Sequence, residues 1–141
     1  MNKSIEEIED EIVEEFSLFD EWMDKYEYII ELGKNLPSMD ENLKTEDRKV
    51  SGCQSQVWLN TKSENGKVLF EADSDAIITK GLVGLLVRVL SGQRPEDVIN
   101  AKLGFIDKIG MKEHLSPNRA NGLVAMIKHM KLNASSLINK N

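Results

Sequence analysis

The chain has 141 residues, 40% apolar and 30% charged, which suits one globular domain spanning 1–141 with a core that needs no staples. Its 18 basic and 24 acidic residues leave a net charge of −6 with no basic block, which speaks against a nucleic-acid partner because such binding needs clustered cations. A single cysteine excludes an intramolecular disulfide framework and suits a reducing compartment.

The N-terminus, MNKSIEEIEDE, is charged throughout and lacks the apolar stretch of a secretory signal. The longest apolar run, Ala76 to Leu90, is interrupted by Lys80 and Arg88 and is too short to span a bilayer. The expected location is therefore cytoplasmic, with no membrane partner.

Ser4 followed by Glu7 is a capping-box signature, and Ile5, Ile8, Ile12, Val13 and Phe16 follow at helical spacing. The acids of this helix, from Glu6 to Glu15, are expected to form a solvated face; the alternative is a docking surface for a basic partner. Asp20 is the expected N-cap of a second helix, running from Trp22 to about Lys34 and stopped by Gly33 and Pro37. The polar segment Ser38 to Lys49 reads as a loop leading to the cysteine.

Asn65-Gly66 is the preferred pair for a two-residue type I′ turn. Folding the chain about it pairs Thr61 with Phe70 and Leu59 with Ala72. Val57, Leu59 and Thr61 then share one sheet face with Val68, Phe70 and Ala72. Asp73-Ser74-Asp75 offers an N-cap cluster for a third helix, apolar on most of its circumference and hence central; Gly81 and Gly84 would admit close backbone approach, and Gly92 would end it. Pro95 opens a short helix, Glu96 to Ala101. Ser116-Pro117 starts the last helix, whose buried face is expected to hold Ala120, Leu123, Val124, Ile127 and Met130, with fraying from Asn133 to Asn141. This order is an α+β pattern.

Chemistry converges on Cys53 in VSGCQSQVWL. A lone cysteine is either a small buried hydrophobe or a reactive thiol. Gly52 before it marks a turn, the polar residues Gln54, Ser55 and Gln56 follow, and the strand begins only at about Gln56, so Cys53 falls on a loop entering a sheet. A metal centre needs three or four soft ligands, and the chain offers one cysteine and two widely spaced histidines, His114 and His129, which read as solvated loop or helix-end residues. A cysteine hydrolase would need a base such as His114 beside the thiol, and no motif for one is present. Arg119 stands in the first turn of the last helix, where a cation opposes the helix dipole. It is either a solvated arginine or a charge aimed at an anion such as the Cys53 thiolate.

The heptapeptide GCQSQVW (52–58) resembles the signature of the SufE family of sulfur-acceptor proteins. WMDKYEYIIELGKNLP, ADSDAIITKGLVGLLVRVLSGQ and LSPNRANGL resemble further blocks of that family in the same order. The resemblance implies a fold like that of SufE and IscU-type proteins, a small antiparallel β-sheet with helices packed on it. It implies that Cys53 accepts a persulfide and that Arg119 lies near it. The implied partners are a pyridoxal-phosphate-dependent cysteine desulfurase of the SufS or CsdA type, which the protein stimulates, and a SufB-type iron–sulfur assembly scaffold that receives the sulfur. The family also includes the paralogue CsdE, and the residues do not separate the two roles. No cofactor is implied for the chain itself, and a homodimer stays open. The implied activity is that of a sulfurtransferase-type carrier rather than a free-standing enzyme; the alternative is a metal-binding iron–sulfur scaffold. In the family the resting cysteine loop is tucked into an apolar pocket, with Gly52 the implied hinge.

Overall fold

The computed structural model describes residues 3–138. Helix α1 (Ile5–Phe16) begins with the expected capping box: Ser4 Oγ accepts from the Glu7 amide at 3.1 Å, and the Glu7 carboxylate accepts from the Ser4 amide at 3.0 Å. Helix α2 (Trp22–Asn35) follows, capped at Glu21 rather than Asp20 and without a side-chain bond. Residues 38–49 are not plain loop; they hold 3-10 turns at Glu41–Leu43 and Glu46–Arg48.

Strands β1 (Val57–Glu64) and β2 (Lys67–Ser74) form an antiparallel hairpin in the expected register, with Thr61 opposite Phe70 and Leu59 opposite Ala72. Asn65 and Gly66 both take positive φ, as a type I′ turn requires. Val57, Leu59, Val68, Phe70 and Ala72 are buried on one face, against α3 (Ile77–Leu90). The remaining helices are α4 (Pro95–Asn100), α5 (Phe105–Lys108), α6 (Met111–His114) and α7 (Pro117–Ile138). The four-residue helices α5 and α6 carry too little periodicity to be read from sequence.

Helix α3 is the hub, packing on β2, α2, α1 and α7. Its approach to α2 is closer than side chains permit. A Cβ built on Gly33 would stand 2.8 Å from the Gly81 amide nitrogen, and one on Gly81 would collide with the Ile29 carbonyl. Gly33 is therefore an interior contact residue of α2 and not its stop signal. Gly84 has no such role, since the nearest atoms to a Cβ there are Leu36 methyls at 3.7 and 3.8 Å.

Three other expectations need correction. The Asp73 cluster does not cap α3, whose N-cap is Ala76. Asp73 is instead the last-but-one residue of β2, buried and held by Lys44 at 3.0 Å and Lys80 at 3.4 Å. Burial pushes its carboxyl up, but these partners and the Ser74 amide outweigh that and hold it below the ordinary aspartate range. The acids of α1 are not merely solvated: Glu15 makes a bidentate pair with Arg88 (2.9 and 2.6 Å), and Glu9 accepts from the Phe105 amide at 3.1 Å. On α7 the buried face is Leu123, Met126, Met130 and Ala134, while Val124 is exposed. A step from Leu123 to Met126 to Met130 keeps the helical stripe, whereas Val124 lies about 100° off it. The tail is helical to Ile138, with Asn133 Nδ2 donating to Thr61 Oγ1 at 2.9 Å; the expected fraying beyond that lies outside the described residues.

Because Gly81 meets backbone rather than a flexible side-chain end, Gly81→Ala should cost about 2 kcal/mol or more through overpacking. Gly84→Ala should be neutral or slightly stabilising by relieving backbone entropy. Urea melts of the two variants check this, and equal midpoints would show that the α2–α3 contact is not tight.

Candidate functional site

The Cys53 loop is pinned on both sides before it reaches the cleft. The Val50 amide donates to the Val57 carbonyl at 2.8 Å, closing a short neck around residues 51–56. The Gln56 amide donates to Asp75 Oδ1 at 3.0 Å, Gln56 Nε2 to Asp75 Oδ2 at 3.3 Å, and the Asp75 amide donates back to the Gln56 carbonyl at 3.2 Å. Asp75 thus latches the loop to the entrance of α3, and the second glutamine of the cysteine motif has its role here. Gln54 is exposed at the cleft mouth.

Within the neck the chain turns at Gly52, where φ is +95°. A Cβ there would press on the Ala125 methyl at 3.1 Å as well as strain the backbone. The loop lies on the small-residue face of α7, and Cys53 Sγ donates to the Gly122 carbonyl at 3.5 Å. The sulfur is half-buried, and burial pushes the thiol up from its ordinary value.

Beside the sulfur is a cleft of about 330 Å³ whose wall includes Thr79 and Leu82 of α3, with Ser116, Arg119 and Met126 at or on α7. Cys53 and Arg119 therefore line one cleft. The guanidinium does not spend itself on the sulfur: Arg119 Nη1 donates to Tyr26 Oη at 2.6 Å, and its central carbon stands 5.7 Å from the Tyr26 ring centre. Ser116 caps the helix as its sequence position suggests, Oγ accepting from the Arg119 amide at 3.3 Å. In this arrangement burial governs the thiol, and Arg119 is held at the cleft by Tyr26, a residue that the sequence did not single out. The signal for Tyr26 was only its place on α2, and its partner is 93 residues away.

Neither histidine lines the cleft. His114 stacks on Trp22 with ring centres 4.4 Å apart and pairs through Nδ1 with the Gly110 carbonyl at 2.9 Å. His129 is no helix-end residue; it sits half-buried within α7, and burial pushes its imidazole below the ordinary value. Among the described residues no three His, Cys, Asp or Glu side chains are gathered in a way that could hold a metal ion. Among them, too, no helix is long and apolar enough to cross a membrane.

Comparison with known proteins agrees over most of the chain. Residues 10–134 match the SufE profile, described as an Fe-S metabolism associated domain. An uncharacterized SufE-like protein of Rhizobium meliloti (strain 1021) is 46% identical over 130 residues, covering 89% of this chain and 93% of its own length. SufE-like protein 1, chloroplastic/mitochondrial, of Arabidopsis thaliana is 42% identical over 128 residues, 90% of this chain but 34% of that longer protein. The solution structure of a hypothetical protein from Thermus thermophilus superposes with a TM-score of 0.77 over 94% of this chain and 97% of its own, at 23% identity, and so shares the α+β fold. With a family match spanning the cysteine loop, the hub helix and the cleft wall of α7, the chain belongs to the SufE family of proteins associated with Fe-S metabolism.

Proposed function

We propose that Cys53 carries sulfur as a persulfide, taken from a pyridoxal-phosphate-dependent cysteine desulfurase and passed to an iron–sulfur assembly scaffold. The observation that carries this reading is the seat of the chain's single thiol: a pinned loop at the mouth of a cleft, in a member of the SufE family. The Cys53 thiolate attacks the outer sulfur of the donor's persulfide. A new S–S bond forms on Cys53, the donor's S–S bond breaks, and the donor cysteine leaves as a thiolate that takes up a proton. Nothing is oxidised or reduced overall, so the chain needs no redox partner for this step. Delivery to the scaffold repeats the exchange with Cys53 as the leaving group. A reducing compartment such as the cytoplasm suits a carrier of this kind.

The resting loop is poor at this attack. Burial pushes the thiol up and so disfavours the thiolate further, and the Gly122 carbonyl accepts the thiol's hydrogen bond. Docking of the donor must therefore draw the loop out. Gly52 supplies the backbone freedom, and the Asp75–Gln56 latch is the contact that must open. Once the sulfur leaves the Gly122 carbonyl, Arg119 exchanges Tyr26 for the thiolate or persulfide anion and stabilises the attacking and leaving sulfurs.

Incubation with a desulfurase and free cysteine should add one sulfur atom to the peptide containing Cys53, read by mass spectrometry of the intact and digested protein. Cys53→Ser should take none and should not stimulate the desulfurase; sulfur on the variant would overturn the reading. Asp75→Ala should open the latch. Because burial raises the thiol, opening moves its pH midpoint for alkylation down toward the ordinary cysteine value of about 8.5 and speeds alkylation several-fold at neutral pH. A profile unchanged from wild type would show that Asp75 does not hold the loop. Arg119→Ala should leave the alkylation profile of the free protein in place, since burial sets it, yet slow sulfur loading about tenfold or more, the loss of one charge-assisted contact. Stopped-flow loading against the free-protein alkylation profile separates the two effects.

A further inference from the structure

The cleft beside Cys53 contains one polar group that the resting state leaves idle. Thr79 is 7% exposed, lies in the first turn of α3, and lines the cleft with the cysteine. A threonine inside a helix ordinarily returns its hydroxyl to the carbonyl four residues back. Here the residue four back, Asp75, precedes the N-cap Ala76 and lies outside the helix, and the Thr79 hydroxyl has no hydrogen-bond partner among the described residues. Nor is its oxygen sealed from solvent: among the described residues the fully buried side-chain atom left without a partner is the indole nitrogen of Trp58. An unpartnered hydroxyl on a residue nine-tenths buried in a cleft wall is a group that can take a ligand there.

The sulfur chemistry says what the ligand is. As a thiol, Cys53 donates its hydrogen to the Gly122 carbonyl. As a persulfide, Sγ carries sulfur in place of hydrogen, so it has nothing to donate, and two lone-pair-bearing atoms would face each other at 3.5 Å. The outer sulfur must turn away from Gly122. A persulfide is a stronger acid than a thiol, so that outer sulfur is an anion at neutral pH. Arg119 lines the same cleft but is bonded to Tyr26 while the loop is seated, so an anion held there needs a further donor. The cleft, at about 330 Å³, has ample room for one more sulfur, roughly the size of a water molecule.

We infer that the Thr79 hydroxyl is a positioning donor for the outer sulfur of the Cys53 persulfide, holding the loaded loop in the cleft while the empty loop is held by Gly122. This rests on the persulfide-carrier reading above and adds the residue that distinguishes the loaded from the empty state. Removing an unpartnered hydroxyl costs the empty protein nothing, so Thr79→Val melts at or above the wild-type temperature.

The test loads the protein with excess sodium polysulfide, whose sulfane sulfur the thiolate takes while a shorter polysulfide leaves. After desalting, two quantities are read: the rate at which dithiothreitol strips the added sulfur, by intact mass, and the pH midpoint of the near-ultraviolet absorption of the persulfide anion. Thr79→Val should lose its sulfur about three- to tenfold faster and titrate at higher pH, while Thr79→Ser behaves as wild type. Thr79→Ala against Thr79→Ser repeats the comparison where only the hydroxyl differs, should the valine variant fold poorly. Equal decay and equal midpoints in either pair overturn the assignment, as does a serine variant that behaves like valine. A wild type that loads from polysulfide but never from a desulfurase refutes the carrier function while leaving the Thr79 comparison standing. A wild type that loads from neither refutes both.

Discussion

The close contact of α2 with α3 is the constraint on which the rest of this protein depends. Gly33 and Gly81 let the two backbones approach within the space of a missing methyl group. With α3 placed between α2 and the hairpin, its first turn can serve the cleft while its middle fills the core. The same approach sets Tyr26 of α2 where the guanidinium of α7 can reach it. Two elements remote in sequence, α3 and α7, thus border one small cleft with the cysteine loop, and α2 reaches its edge through the Tyr26–Arg119 bond.

On the proposed carrier function, holding a reactive sulfur and releasing it make opposing demands on that loop. Burial suppresses the thiolate and shields a bound sulfur, which suits storage. Transfer needs the anion, reach and a counter-charge. The loop meets the first demand with contacts that are few and individually weak: a thiol on a carbonyl, a carboxylate on a glutamine and its amide, and small-residue packing on α7. None is a buried ion pair, so a docking partner can displace them with modest binding energy. Arg119 is likewise held by a tyrosine hydroxyl, and among the described residues it makes no ion pair with a carboxylate. Strong ion pairs are placed elsewhere, where rigidity helps: Arg88 with Glu15 between α1 and α3, and Lys44 with Asp73 over the hairpin.

Much of the fold was legible because it is local. The capping box at Ser4, the type I′ turn at Asn65-Gly66 and the hairpin register follow from neighbours in sequence. Three of the misreadings share one cause, namely that a residue suited to a local task was taken by a distant partner. Gly33 looked like a helix stop and was needed for α3. Asp73 looked like a cap and was claimed by two lysines. The α1 acids looked like a solvated face, yet Glu15 holds Arg88, 73 residues on. Propensity is a weak prior wherever a charged or backbone partner from elsewhere offers more.

For the site the division is similar. One cysteine between a glycine and polar residues, with too few soft ligands for a metal centre, made Cys53 the candidate while leaving packing and chemistry both open, and the family signature around it carried the sulfur reading. The amino-acid order likewise determined the hairpin, the central apolar helix and the position of Arg119 in the first turn of α7. Only the tertiary structure decided that the thiol rests on Gly122, that Asp75 latches the loop, that Tyr26 holds Arg119, and that Thr79 lines the same cleft with its hydroxyl unpartnered among the described residues. Each of these depends on distances between side chains 19 to 93 positions apart, and such distances are set by how helices and sheet pack, which periodicity and spacing do not encode.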